Sequence, residues 1–209
     1  MKKNPLIQFG NVPVQYGQLE VCYNYLSAPG KKIRALEQDG QLIRLKRGMY
    51  VVSNEVTGKP TCVELCANHI YGPSYVSQHY ALKWYGLIPE GVNTITSVTL
   101  KRSRMFETPL GRFSYEQVKP DYFSIGIRSI EENGVCYLMA SREKALCDFI
   151  LQDWYVPSQS VKALWQYLEE DIRFDVDELP SFDVNIIEAC AKAGRKTNIL
   201  NNLIKIIKR

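Results

Sequence analysis

The chain has 209 residues, 45% of them hydrophobic, and 26 lysines and arginines against 22 acidic residues give a formal net charge of +4. This size can bury one large core or two modest ones. No run approaches the roughly 18 consecutive apolar residues of a membrane span, and the opening M-K-K-N-P-L-I-Q-F-G has no apolar stretch long enough for a signal peptide. The cysteines at 22, 62, 66, 136, 147 and 190 are scattered, without the regular spacing of a disulfide scaffold. The expectation is therefore a cytoplasmic protein with no membrane partner and reduced, mostly buried thiols.

Charge is unevenly spread. Residues 1–55 hold eight cations (Lys2, Lys3, Lys31, Lys32, Arg34, Arg44, Lys46, Arg47) and four acids, whereas the rest of the chain carries eighteen of each. The whole excess thus lies in the N-terminal quarter, which points to an anionic partner, nucleic acid first. A solvated charged face on an ordinary small domain is the competing reading.

In chain order, a short helix within Pro5 to Phe9 precedes a helix over Val14 to Leu26, with Leu19, Cys22, Tyr23 and Leu26 at helical spacing. Ser27 is expected to end it and cap the next helix. Pro29 opens that helix, where its missing N–H costs nothing, and Gly40 stops it. Ile33 and Leu36 point one way, and Lys31, Arg34, Ala35 and Gln38 the other. From Leu42 the period changes to two. Ile43 and Leu45 alternate with Arg44 and Lys46, Arg47-Gly48 turns, and Tyr50-Val51-Val52 returns. A basic helix followed at once by a basic hairpin predicts a winged helix-turn-helix over residues 1–55. Ser53 to Pro60 is polar and ends in Gly and Pro, the signature of a linker.

Residues 60–209 read as an α+β domain with antiparallel strands and C-terminal helices. Thr61 to Ile70 is helical, Gly72-Pro73-Ser74 breaks it, and Ser77 caps a helix through Tyr85 that stops at Gly86. Thr94 to Leu100 and Arg112 to Val118 are strands. Ile125 to Glu131 and Val135 to Ala140 pair across Glu132-Asn133-Gly134. Ser141 caps a helix to about Trp154, with Ala145, Leu146, Phe149 and Ile150 inward. Helices follow over Ser158 to Leu168, Val184 to Ala193 and Lys196 to Ile207.

The candidate DNA contacts follow from this plan. Lys31 and Arg34 lie outward near the N-terminal end of the helix that Pro29 opens, where base edges are read. Gln38 either reads adenine or is solvated, and Lys32 lies on the flank as a phosphate contact. Arg44 and Lys46 are expected on one strand face, with Arg47 at the hairpin tip, suited to phosphate or minor groove. Lys101, Arg102 and Arg104 form a second basic cluster, either a further nucleic-acid or target surface or a solvated strand end.

Metal and catalytic readings find less. Cys62, Cys66 and His69 share a helix face at i, i+4, i+7, and His79 could complete a zinc set. Without C-x-x-C spacing, small buried thiols are the preferred reading, with no metal and no cofactor. Asp175-Val176-Asp177 pairs carboxylates as nucleotidyltransferases do, but no Gly-Ser dipeptide precedes it to hold a triphosphate. Pro120-Asp121 is not followed by an acidic-x-Lys triplet, Glu143 and Lys144 being adjacent instead. There is no G-x-x-x-x-G-K-[ST] and no G-x-S-x-G. The chain is read as a non-enzyme with no catalytic residues.

Several stretches occur together and in order: Leu42 to Tyr50 (L-I-R-L-K-R-G-M-Y), Gly72 to Ser77 (G-P-S-Y-V-S), Tyr85 to Glu90 (Y-G-L-I-P-E), Thr94 to Arg102 (T-I-T-S-V-T-L-K-R), Phe106 to Tyr115 (F-E-T-P-L-G-R-F-S-Y) and Ala140 to Asp148 (A-S-R-E-K-A-L-C-D). In this set the chain resembles the AbiEi-type antitoxins of type IV toxin–antitoxin, or abortive-infection, systems, over roughly residues 10–150. The resemblance implies a transcriptional autorepressor that binds inverted repeats in duplex DNA upstream of its own operon. It also implies that the later part counters a nucleotidyltransferase-like toxin without forming a tight complex. The alternative is an RNA- or protein-binding winged-helix protein whose C-terminal domain hides an enzymatic activity.

Overall fold

The computed structural model describes residues 4–89, 91 and 93–208. Lys2 and Lys3 of the charge count, and Glu90 of the Tyr85 to Glu90 stretch, lie outside the described residues. The fold is mixed α+β, built on a small three-stranded sheet and a six-stranded sheet.

The N-terminal part begins with a 3-10 turn, Pro5–Phe9, followed by β1 (Val14–Gln15), α1 (Tyr16–Cys22), α2 (Pro29–Gln38), β2 (Leu42–Lys46) and β3 (Met49–Val52). The strands pair antiparallel in the order β1-β3-β2. Val14 and Gln15, expected in a helix, form β1 because they pair with Tyr50 and Met49. The helix therefore starts at Tyr16, and it ends at Cys22, short of Leu26. Ser27 caps nothing; Ala28 holds the N-cap position of α2, which relies on Pro29 in its first turn. Leu19, Tyr23, Ile33, Leu36, Leu42, Tyr50 and Val52 close a local core.

The segment read as a linker is itself structured. Asn54–Thr57 form a helical turn (α3) ended by Gly58 in the left-handed region, and Val56 packs on the local core. Asn11 Nδ2 donates to Pro60 O at 3.2 Å. The opposite face of the β2–β3 hairpin faces a different core: Leu45, Met49 and Val51 belong to the large hydrophobic cluster of the rest of the chain.

That larger part contains α4 (Val63–Ile70), β4 (Ser74–Val76), α5 (Gln78–Trp84), β5 (Thr94–Thr99), β6 (Arg104–Thr108), β7 (Gly111–Gln117), α6 (Pro120–Phe123), β8 (Ile127–Glu132), β9 (Val135–Ala140) and α7 (Arg142–Gln152). The sheet order is β6-β7-β5-β4-β9-β8, with β5/β7 and β4/β9 parallel and the other pairs antiparallel. The expected β8–β9 hairpin forms, with Asn133 and Gly134 both at positive φ as a tight primed turn requires. Strands β4 and β6 escaped the sequence reading. Ser74, Tyr75 and Val76 are all buried and show no alternation, while β6 is an edge strand of mixed, largely exposed residues.

Helix α7 runs through the centre and is almost wholly buried, capped by Ser141, whose Oγ accepts from Lys144 N. Around it pack α8 (Val161–Gln166, continued by a wider turn over Tyr167–Asp171), a 3-10 turn over Val176–Ser181, α9 (Val184–Ala193) and α10 (Thr197–Ile207). Among the described residues no helix is long and apolar enough to cross a membrane.

Candidate nucleic-acid interface

Helix α2 sorts its side chains by the helical period. Ile33 and Leu36 are buried, while Lys31, Lys32, Arg34 and Gln38 are exposed on the outer side; Ala35 is half-buried. Gly30 allows the close approach of α1. A Cβ there would stand 2.8 Å from Tyr16 Oη. Between α2 and the hairpin lies a cleft of about 450 Å³ lined by Tyr16, Gly30, Arg34, Glu37, Gln38 and Arg44, among others. Arg44 reaches Glu37 at 3.9 Å, a long and solvated ion pair that contributes little and yields easily to a stronger anion. Arg47 is exposed at the hairpin tip. Lys31, Arg34, Gln38 and Arg44 thus border one surface, with Lys32 and Arg47 exposed nearby in sequence.

Lys46 does not join them. Alternation places it beside Arg44, but a β-bulge lies between the two: Arg44 pairs with Tyr50, and Lys46 pairs with Met49. Tyr50 faces the local core and Met49 the larger one, so the bulge turns Lys46 to the opposite face of the hairpin. Its Nζ donates to Ile70 O at the end of α4, at 2.6 Å. Burial, together with Lys101 and Arg104, lowers its pKa.

Of the second basic cluster, Lys101 and Arg102 are exposed in the loop between β5 and β6, and Arg104 opens β6. Lys101 lies 5.1 Å from the Tyr71 ring centre and Arg104 4.9 Å from that of Phe106. Both line a cleft that also takes in Lys46, so the two basic groups separated in sequence meet there, without Arg102.

The cysteine–histidine set is dispersed. Cys62 is the N-cap of α4, accepting from Leu65 N, and burial pushes its thiol up to about 12. Cys66 is buried, its thiol also pushed up to about 12. His69 stands more than a third exposed, its pKa lowered by partial burial and by Lys46. His79 packs edge-on against Phe149. Among the described residues no three His, Cys, Asp or Glu side chains gather as a metal site. Asp175 and Asp177 flank buried Val176 on a 3-10 turn and are exposed.

No protein-family model matches the chain, and no curated protein matches it either.

A feature the sequence reading missed lies within the larger core. Ser77 Oγ donates to Asp148 Oδ2 at 2.6 Å, across 71 residues. Lys144 Nζ stands 3.2 Å from Asp148 Oδ1, donates to Tyr122 O at 2.9 Å and lies 3.1 Å from the Tyr122 ring centre. Two of the quoted stretches, Gly72 to Ser77 and Ala140 to Asp148, meet in this network. The Lys144 and Asp148 side chains are fully buried, so this convergence of serine, aspartate and lysine is closed to solvent. Burial and Asp148 push the Tyr75 and Tyr122 hydroxyls far up, so both stay neutral. The signal lay in Asp148 being polar within the otherwise apolar run Ala145 to Leu151.

Proposed function

We propose that the N-terminal part is a winged helix-turn-helix that binds duplex DNA, in a cytoplasmic autorepressor of the AbiEi antitoxin kind. On this reading residues 1–55 bind inverted repeats at the operator, and residues 60–209 oppose a nucleotidyltransferase-like toxin without a tight complex. The observation that carries it is the outward face of α2, where Lys31, Lys32, Arg34 and Gln38 are exposed over a buried Ile33–Leu36 edge, with Arg44 and Arg47 on the adjoining hairpin. Exposed, weakly paired cations on a helix and a following hairpin are what a phosphate backbone and a groove require. The ordered set of motifs supplies the antitoxin half of the reading.

Anisotropy titration of the full chain with duplex from its own upstream region, against random duplex, tests this between about 50 and 200 mM salt. Arg44→Ala with Arg47→Ala is expected to flatten the slope of log K on log salt by about 2, near 0.9 per phosphate lost. Lys46→Ala, on the other face, is expected to leave the slope unchanged. Lys31→Ala or Arg34→Ala is expected to cost about 1–3 kcal/mol of discrimination against random DNA. Parallel loss on both duplexes would make Lys31 and Arg34 phosphate contacts, and an absence of duplex binding would end the reading.

A further inference from the structure

We propose that the cleft between the β2–β3 hairpin and the β5–β6 edge is a binding site for a small phosphorylated ligand, a pyrophosphate group either free or carried by a nucleotide. Lys46, Lys101 and Arg104 all line it, with His69, Tyr71 and Phe106, and the cleft measures about 500 Å³. No carboxylate is among its lining residues, and none of these three cations takes part in a salt bridge among the described residues. Like charges that converge in a concave, part-buried place repel one another; the pKa of Lys46 is lowered by burial first and by Lys101 and Arg104 after it. Such an arrangement is relieved by a multiply charged anion.

Three features select the occupant. Two ammonium groups and a guanidinium offer point charges and a planar fork, the donor set that a phosphate's several oxygens accept. The volume is larger than one phosphate and falls in the range of small-ligand clefts. The bulge at β2 turns Lys46 away from Arg44, so this cleft shares no lining residue with the one that Arg34, Gln38 and Arg44 line. The same Lys46 is held against Ile70 O, and β2 packs on both α4 and β6, so the site bridges the two parts of the chain. The inference does not rest on DNA binding and is tested without DNA.

Calorimetry on the full chain at low salt, in a buffer free of phosphate, uses inorganic pyrophosphate, adenosine diphosphate and adenosine as probes. Saturable binding of pyrophosphate and the diphosphate at one site per chain, with none of adenosine, is expected. A tighter diphosphate identifies a nucleotide as the source, and equal affinities identify the free anion. Lys101→Ala with Arg104→Ala, both exposed and tolerant of substitution, is expected to weaken binding about tenfold or more. Arg34→Ala with Arg44→Ala is expected to change it by less than about twofold. Absence of saturable binding, or an equal loss in the two double variants, overturns the proposal. It is overturned too if neither anion binds while Lys101→Ala with Arg104→Ala weakens duplex binding, since the cleft then belongs to a nucleic-acid surface.

Discussion

The cations of the N-terminal part and those around α7 stand in opposite physical regimes. Lys31, Lys32 and Arg34 are exposed on a helix face, whereas Lys144 is fully buried between Asp148 and the Tyr122 ring. A solvated lysine adds almost nothing to folding and is free to meet a partner. A buried lysine has lost its water, and only its ion pair and hydrogen bonds offset that loss. The same residue type is thus an interface in one region and a structural fastener in the other. Sequence position alone does not tell the two apart; burial does.

The largest expected effect breaks the fastener. Lys144→Met leaves Asp148 buried with Ser77 as its remaining close partner, and the expected loss is about 3–5 kcal/mol in urea unfolding. Lys144→Met with Asp148→Leu removes both charges and is expected to recover most of that loss. If the double variant is no better than the single one, the network is stabilised by something other than the ion pair. The next effect is at Gly126, whose φ is +63 and where a Cβ would stand 2.9 Å from Lys144 Cβ and 3.0 Å from Ile186 Cγ2. Gly126→Ala combines backbone strain with overpacking, for an expected loss of about 2–3 kcal/mol by the same measurement.

Much of this architecture was legible in local chemistry. Ser141 caps α7 as its position implies, Asn133-Gly134 makes the hairpin, and the apolar spacing of Ile33 and Leu36 gives the buried edge of α2. What was not legible depends on distant partners. The Ser77–Asp148 bond joins residues 71 apart, and the burial of β4 on every residue removes the alternation by which a strand is recognised. The Ser53 to Pro60 segment is polar, yet it does not separate two independent cores, because Leu45, Met49 and Val51 reach across into the larger one. The bulge that divides Arg44 from Lys46 has no sequence signature, and it puts the two side chains on opposite faces of the hairpin.

Those two residues sharpen the comparison within a single strand. Lys46→Ala gives up a charged hydrogen bond to Ile70 O from a half-buried position, for an expected loss of about 1 kcal/mol. Arg44→Ala gives up only the 3.9 Å contact to Glu37 and is expected to change stability by less than about 0.5 kcal/mol. Equal losses would mean that both side chains are solvated and that the bulge does not sort them.

The smallest expected effect concerns pH. His69 has its pKa lowered by partial burial and by the neighbouring positive charge of Lys46. As pH falls through the ordinary histidine value of about 6.5, the unfolded chain takes up this proton before the folded one does. His69 therefore withdraws stability between that value and its own lower one, and it contributes no change at higher pH. The side chain is more than a third exposed, so the effect is screened and small. Urea midpoints measured across that window in a phosphate-free buffer should decline less steeply for His69→Gln than for the parent. Added pyrophosphate, seated among Lys46, Lys101 and Arg104, should shrink the difference, because a bound anion offsets the positive charge that holds His69 neutral. A parent and a variant with identical pH profiles would show that Lys46 and burial do not act on His69 as the geometry implies.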